Sequence, residues 1–560
     1  MTENCAWIVT KFTTDLMYNR FYDIRPCQYG RAIFVVIFTI FCHRILCRPF
    51  DENTCKEPGK VLLLGGNTLK ILTNIYDFVW GAPALILILG VGVFLSLRTD
   101  FVQLRWLPKS IKRFFSQLSE KHDCAGVSPF RALCTALAAT VGTGNLAGVA
   151  GAICIGGPGA IFWMWICGIF GMVIKFAEAT LAVHFREKDA SGAWIGGSMY
   201  MIRNGLPRKY HFLAIIYSLF GLIAAFGVGN ATQVSTMVAG IHEILPQIGL
   251  QTGTRGDFGI GILLALMLGI LLLGGAQRIG QTAELLVPFA AGLYLLLGIA
   301  VLILRLDAVP AAFASIIQGA FYPQAVTGGA VGSALVSLRT GISRGVFTNE
   351  AGMGTASMAH ASAEVEHPTD QGLLGIVEVF LDTIVICTMT ALVILCSGIY
   401  VPYGCSADIE LTTAAFSEVL GPWVGFVIIL ALCLFAFATV LGWGLYGIRC
   451  AHYLFGENKS KWFAYVQILT IVLGSVVDAD QVWMAAEIIN GLMAIPNLIA
   501  ICALWPVLRR LLIQKKDGGY YENLDQCQPL RIFPHAYVPS SGCGSQGTRQ
   551  EDLPSEHWPA

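Results

Sequence analysis

The sequence is poor in charge. Only 13% of its 560 residues are Asp, Glu, Lys or Arg, against about a quarter in soluble chains, so a water-exposed globular surface is not expected. Acidic and basic residues are equal in number, 36 each. There is thus no basic excess to hold phosphates, and no nucleic-acid partner is expected. The chain has 17 cysteines but no C-x-x-C pair. Most of them, including Cys154, Cys167, Cys387, Cys433 and Cys502, fall in apolar stretches and read as small buried residues, which argues against a zinc site or a disulfide framework. Arg20, Arg25 and Arg31 precede an apolar run at 32–47, but no small-residue cleavage site follows, so insertion by uncleaved helices is expected. There is no H-E-x-x-H, and His360 and His367 fall in a loop where solvation is the expectation. No intramembrane enzyme is therefore expected, and the absence of a continuous polar stripe argues against a channel.

What is present is hydrophobic length. With 55% hydrophobic residues, runs able to cross about 30 Å of hydrocarbon recur from residue 76 onward. Helices are expected near 76–97, 130–154, 158–185, 212–241, 258–275, 280–305, 325–352, 371–397, 422–447, 462–477 and 482–508, about eleven spans. They are too long for the strands of a barrel, which alternate over roughly ten residues. One set of connections carries Arg98, Arg105, Lys109, Lys112, Arg113 and Lys121, then Arg186, Lys188, Arg203, Arg208 and Lys209, then Arg449, Lys459 and Lys461. Lys and Arg stay on the cytoplasmic side, so these face the cytoplasm. The alternate connections, 306–324, 398–421 and 478–481, hold none and face outward. The ends differ from this body. Residues 1–66 read either as an extension with one extra helix or as an upstream misread of the start. Residues 67–512 form the membrane domain, and 513–560 read as a disordered cytoplasmic tail.

Two spans are interrupted. Thr140-Val141-Gly142-Thr143-Gly144-Asn145-Leu146-Ala147-Gly148 lies in the middle of an apolar run. Helix-interior glycine costs about 1 kcal/mol relative to alanine, so an unwound stretch is favoured. Freed carbonyls and amides at bilayer depth are tolerated where they line a cavity, and transporters use them as ligands. Close helix packing through small residues is the alternative, but it gives Asn145 no task. The spacing G-x-G-x-x-x-G with no preceding strand does not fit a nucleotide site. A second break is expected at Ser337-Leu338-Arg339-Thr340-Gly341-Ile342-Ser343-Arg344-Gly345, after Gly328-Gly329-Ala330-Val331-Gly332. The two broken spans run in opposite directions by the charge rule, as in inverted-topology repeats. Of the charges inside spans, Lys175 and Glu178 are neighbours at i, i+3 and are expected to pair and snorkel. Glu378 and Asp382, like-charged at i, i+4, suggest a cation or proton site at Asp382. Arg344 and Glu350 are spaced to form a cytoplasmic gate.

Four long segments carry a resemblance: TVGTGNLAGVAGAICIGGPGAIFWMW at 140–165, GGAQRIGQTAELLVPF at 274–289, RGVFTNEAGMGTASMAHASA at 344–363 and QGLLGIVEVFLDTIVICTMTALVI at 371–394. Over about 70–511 the chain resembles the alanine or glycine:cation symporters. It departs from them at GGSMYMI (196–202) and at Thr348, and residues 1–66 have no counterpart. The resemblance implies an all-α polytopic membrane protein with the LeuT-type fold, a five-plus-five inverted repeat with an additional N-terminal helix. It implies sodium-coupled symport of alanine or glycine into a bacterial cell across the inner membrane. A proton-coupled or differently selective transporter of the same fold is the alternative.

On this reading the substrate carboxylate meets amides around Thr143, Gly144 and Asn145, at a helix N-terminus carrying roughly +0.5 of a charge. The ammonium meets carbonyls near Thr340 and Gly341. Gln233 sits mid-span as a further substrate contact, or as an interhelical hydrogen bond of roughly 0.6 kcal/mol. Sodium takes carbonyls of the first broken helix at Thr140 with the hydroxyl of Thr439, the latter by resemblance to helix eight of LeuT-type proteins. A bond from Thr439 to its own helix is the competing reading. Trp443, one turn beyond Thr439, closes the pocket over a side chain no larger than methyl.

Overall fold

The computed structural model describes residues 73–119 apart from residue 77, 126–245, 253–405, 409–476 and 479–516. The expected extension at 1–66 and the tail from 517 lie outside the described residues. The helix that ends the membrane domain continues past 512, to Lys516.

After α1 (Ala82–Arg98) come two sets of helices. The first holds α2 (Pro129–Thr140) and α3 (Val149–Gly156), α4 (Gly159–His184), α5 (Phe212–Phe226) and α6 (Thr232–Ile244), α7 (Thr254–Leu272) and α8 (Gly275–Leu304). After α9 (Val309–Phe321), the second holds α10 (Ala334–Asn349) and α11 (Ala356–His360), α12 (Pro368–Val379) and α13 (Thr388–Cys396), α14 (Ile409–Leu420), α15 (Trp423–Phe455), α16 (Glu457–Gly474) and α17 (Ala479–Lys516). Within hydrocarbon each backbone amide needs a partner, and helices satisfy it within the segment. Among the described residues, seven helices are long and apolar enough to cross a membrane, and α2 with α3 makes an eighth, bent by 54°. The expected eleven also counts α1, α10 and α16, which are shorter or more polar. The loops expected at 306–324 and 398–421 contain the helices α9 and α14.

Local signals fix the helix starts. The Ser128 hydroxyl accepts from the Arg131 amide at 3.1 Å, and Pro129 occupies the first turn of α2, where its missing N–H costs nothing. Pro368 does the same for α12, with the His367 side chain as cap.

The first break lies where the glycines predict it. Helix α2 stops at extended Val141, and the chain resumes as a π segment, Gly144–Gly148, leading into α3. The second does not lie at 337–345, because α10 runs unbroken through those residues. Its glycines serve a helix crossing. A Cβ on Gly341 would lie 2.2 Å from the Ala160 carbonyl oxygen, and one on Gly345 would lie 3.1 Å from Cys167 of α4, so these small residues let α10 approach α4 closely. The break comes one step later. Glu350 takes the left-handed conformation at φ 52°, Gly352 and Gly354 have φ of 94° and 75°, and α11 follows.

Buried charges hold this region, and here three expectations are corrected. Lys175 is fully buried and pairs with Glu378 at 3.1 Å, so it neither snorkels nor pairs with Glu178. One Glu178 oxygen accepts instead from the amides of Gly352 and Gly354 and from Asn497. His360 is fully buried, bonded to Glu378 at 2.8 Å and to Gln371 at 2.7 Å, and His367 is buried as well. Arg344 faces Glu487 at 3.6 Å, so the expected gate with Glu350 is not formed. An unpaired buried charge costs several kcal/mol, which is why each partner sits where a distant helix can reach it.

Candidate functional site

A small cavity opens at the first break. Thr140, Gly142, Thr143 and Gly144 form one wall, Val228 and Gln233 a second, Phe347 and Glu350 a third, and Thr439 and Trp443 a fourth. Its volume is ≈ 20 Å³, enough for about one water.

Each wall has opposite chemistry to offer. Thr143 and Gly144 stand at the first turn of the second half-helix, whose amides lack a preceding turn and favour an anion. The carbonyls that end α2 face the opposite need, since the last turn of a helix leaves oxygens unpaired. Glu350 brings a carboxylate into the same cavity. It accepts from the Trp443 indole N–H at 3.0 Å and from the Thr355 hydroxyl at 2.6 Å. Gln233 lies between the poles. Its amide donates to the Val228 carbonyl at 3.1 Å, and its oxygen accepts from the Thr143 hydroxyl at 3.4 Å.

Thr439 donates to the Phe435 carbonyl of its own helix at 3.0 Å. Its oxygen also stands beside the first break, since a Cβ on Gly142 would come within 2.8 Å of it. One hydroxyl proton can serve the helix while the lone pairs point to the break, so both sequence readings of Thr439 are compatible with this geometry. Thr140 bonds back to the carbonyls of Ala136 at 3.3 Å and Leu137 at 3.4 Å. Among the described residues no group of three or more His, Cys, Asp or Glu could hold a metal ion. The oxygens that the break presents are backbone carbonyls and hydroxyls, the kind that half-helix ends supply.

The structure brings Thr140, Thr143, Gly144, Gln233, Thr439 and Trp443 together around the cavity. The Asn145 side chain points elsewhere. Its oxygen accepts from the Gly142 amide at 2.9 Å and its NH₂ donates to Asp382 at 2.7 Å, which pins the π segment in place. Thr340 and Gly341 are not brought to the cavity, because α10 is continuous there and that face packs on Gly156, Ala160 and Trp163. Sequence reasoning missed Phe347 and the inward role of Glu350. The signal was available in Asn349-Glu350-Ala351-Gly352-Met353-Gly354, a polar pair followed by spaced glycines, as at the first break. The pentapeptide Gly341-Ile342-Ser343-Arg344-Gly345 matches the letters of G-x-S-x-G, but it lies inside a helix, without the strand-to-helix elbow that exposes a nucleophile.

The family described as the sodium:alanine symporter family matches residues 67–522. The sodium/alanine symporter AgcS of Methanococcus maripaludis is 39% identical over 78% of this chain and 94% of its own length. The probable sodium/glutamine symporter GlnT of Bacillus subtilis is 37% identical over 79% of this chain and 90% of its own. The crystal structure of MhsT in complex with L-phenylalanine aligns with a TM-score of 0.51 at 16% identity, covering 71% of this chain and 93% of that one, which shows the LeuT-type fold. A family match across the membrane domain and relatives aligned over nearly their full length lead to one conclusion: the chain belongs to the sodium:alanine symporter family.

Proposed function

We propose that this protein carries alanine or glycine into a bacterial cell across the inner membrane, driven by sodium, through alternating opening of the cavity at the first break. The observation that carries this reading is the meeting of opposite poles in one small chamber: half-helix amides at Thr143 and Gly144 against the carboxylate of Glu350. A zwitterion in low dielectric needs both charges satisfied. The substrate carboxylate binds the amides at 143–145, and the ammonium binds Glu350 in place of the region of Thr340 and Gly341. Gln233 exchanges its present partners for the substrate. Sodium binds carbonyls near Thr140 with the Thr439 hydroxyl.

Val228, Phe347 and Trp443 crowd the cavity, which favours the smallest amino acids, alanine and glycine, over the glutamine in the name of one relative. Sodium supplies enough energy. One positive charge crossing 100 mV releases about 2.3 kcal/mol, and a tenfold gradient adds about 1.4 kcal/mol. Together these sustain an accumulation of several hundredfold.

The test is uptake of radiolabelled alanine into proteoliposomes with and without an inward sodium gradient, with choline as the replacement ion. Sodium-dependent uptake of alanine, competed by glycine and weakened in Trp443→Ala, supports the proposal. Uptake driven by a pH gradient alone moves the coupling to protons, and glutamine uptake without alanine uptake overturns the substrate assignment.

A further inference from the structure

The two breaks are joined by one chain of buried hydrogen bonds. At the first, the Gly142 amide donates to the Asn145 side-chain oxygen at 2.9 Å, and the Asn145 NH₂ donates to one oxygen of Asp382 at 2.7 Å. At the second, the Ala351 amide donates to the Asn349 side-chain oxygen at 2.9 Å, and the Asn349 NH₂ donates to the Thr383 hydroxyl oxygen at 3.1 Å. Thr383 then donates its own proton to the other oxygen of Asp382 at 2.9 Å. Each break thus uses an asparagine in the same way. The two asparagines hang from consecutive residues of one π segment, Phe380–Cys387. Asn145, Asp382 and Thr383 are fully buried and Asn349 nearly so, at 1% exposure, so every link lies away from bulk solvent.

The donor inventory makes the chain a transmitter. Asn145 has one acceptor and two donors, and the hydroxyl of Thr383 has a single proton. When Asp382 or the first break moves, that proton has to leave Asp382, and the oxygen that supports Asn349 turns with it. A buried donor left without a partner is costly, so the second break follows the first.

We propose that Thr383 is a positioning residue that couples the two breaks, so that the amide pole at 143–145 and the carboxylate of Glu350 form and dissolve together. The inference rests on the symport reading, in which those poles hold the substrate. Thr383 touches neither pole, and its role is to make sodium binding and amino-acid binding one event.

The experiment measures alanine affinity of the purified full chain with and without sodium. In the unaltered protein sodium raises the affinity by some factor. In Thr383→Val, which keeps the shape and removes the hydroxyl, that factor is expected to fall at least tenfold while sodium-free affinity stays within about threefold. Thr383→Ser is expected to restore it. A folded Thr383→Val protein with an undiminished sodium effect overturns the proposal, as does a loss that serine does not rescue. Should the valine variant not fold, Asn349→Ser breaks the neighbouring link and is read by the same criteria. Absence of any sodium effect in the unaltered protein would instead sink the symport reading.

Discussion

Gly229 offers a direct test of how the pocket wall is built. It lies in the π segment Gly227–Ala231, against the indole of Trp443. A Cβ added there would stand 2.2 Å from the Cβ of Trp443, 2.4 Å from its Cγ and 2.8 Å from its Cδ2. Carbon atoms in contact lie about 3.5–4.0 Å apart, so the tryptophan or the segment must yield by about 1.3 Å. Neither yields freely. Trp443 is 1% exposed, its N–H is committed to Glu350, and its other neighbour is the Tyr446 ring, 5.8 Å away between centroids. Overpacking of this kind costs about 1–3 kcal/mol, about 5–150-fold in an equilibrium. Gly229→Ala is therefore expected to raise the KM for alanine about tenfold or more in proteoliposome uptake. Gly292→Ala in α8 is the matched control, since a Cβ there meets nothing within 4 Å, and it should transport normally. An unchanged KM in a well-folded Gly229→Ala protein would refute the claim that Trp443, seated on Gly229, shapes the site.

Two further predictions follow from the buried polar groups. Glu378→Gln leaves the Lys175 ammonium without its counter-charge, at a cost of about 3–5 kcal/mol, so the yield of monodisperse protein on size-exclusion chromatography should collapse and the double variant with Lys175→Met should recover part of it. Thr439→Val should raise the half-saturating sodium concentration by roughly threefold to tenfold, the worth of one hydrogen-bonding group; an unchanged value would leave the hydroxyl with its helix carbonyl alone.

The helices were legible because hydrocarbon demands length and apolarity, and both are written in consecutive residues. The first break was legible for a similar reason: Gly142, Gly144 and Asn145 are adjacent and mark an interruption locally. The second was misplaced because Thr340 and Gly341 present the same letters for a different purpose, a close crossing over Ala160 that depends on α4, far away in sequence. What permits the real break at Glu350 is likewise remote, since Glu178 and Asn497 supply the partners for the loosened backbone. His360 looks solvated from the sequence because its flanks resemble a loop, and nothing local reveals that Glu378 and Gln371 fold over it. Pairing between distant positions leaves no periodic trace in the sequence.

In the transport proposed above, a chamber with room for about one water has to widen before it admits even the smallest amino acid. No file of ions or solutes can thread such a space, so passage is counted in excursions of the walls, one load at a time. The pace is then that of helix rearrangement, on the microsecond to millisecond scale or slower. Raising the substrate concentration fills the waiting line outside without hastening the door.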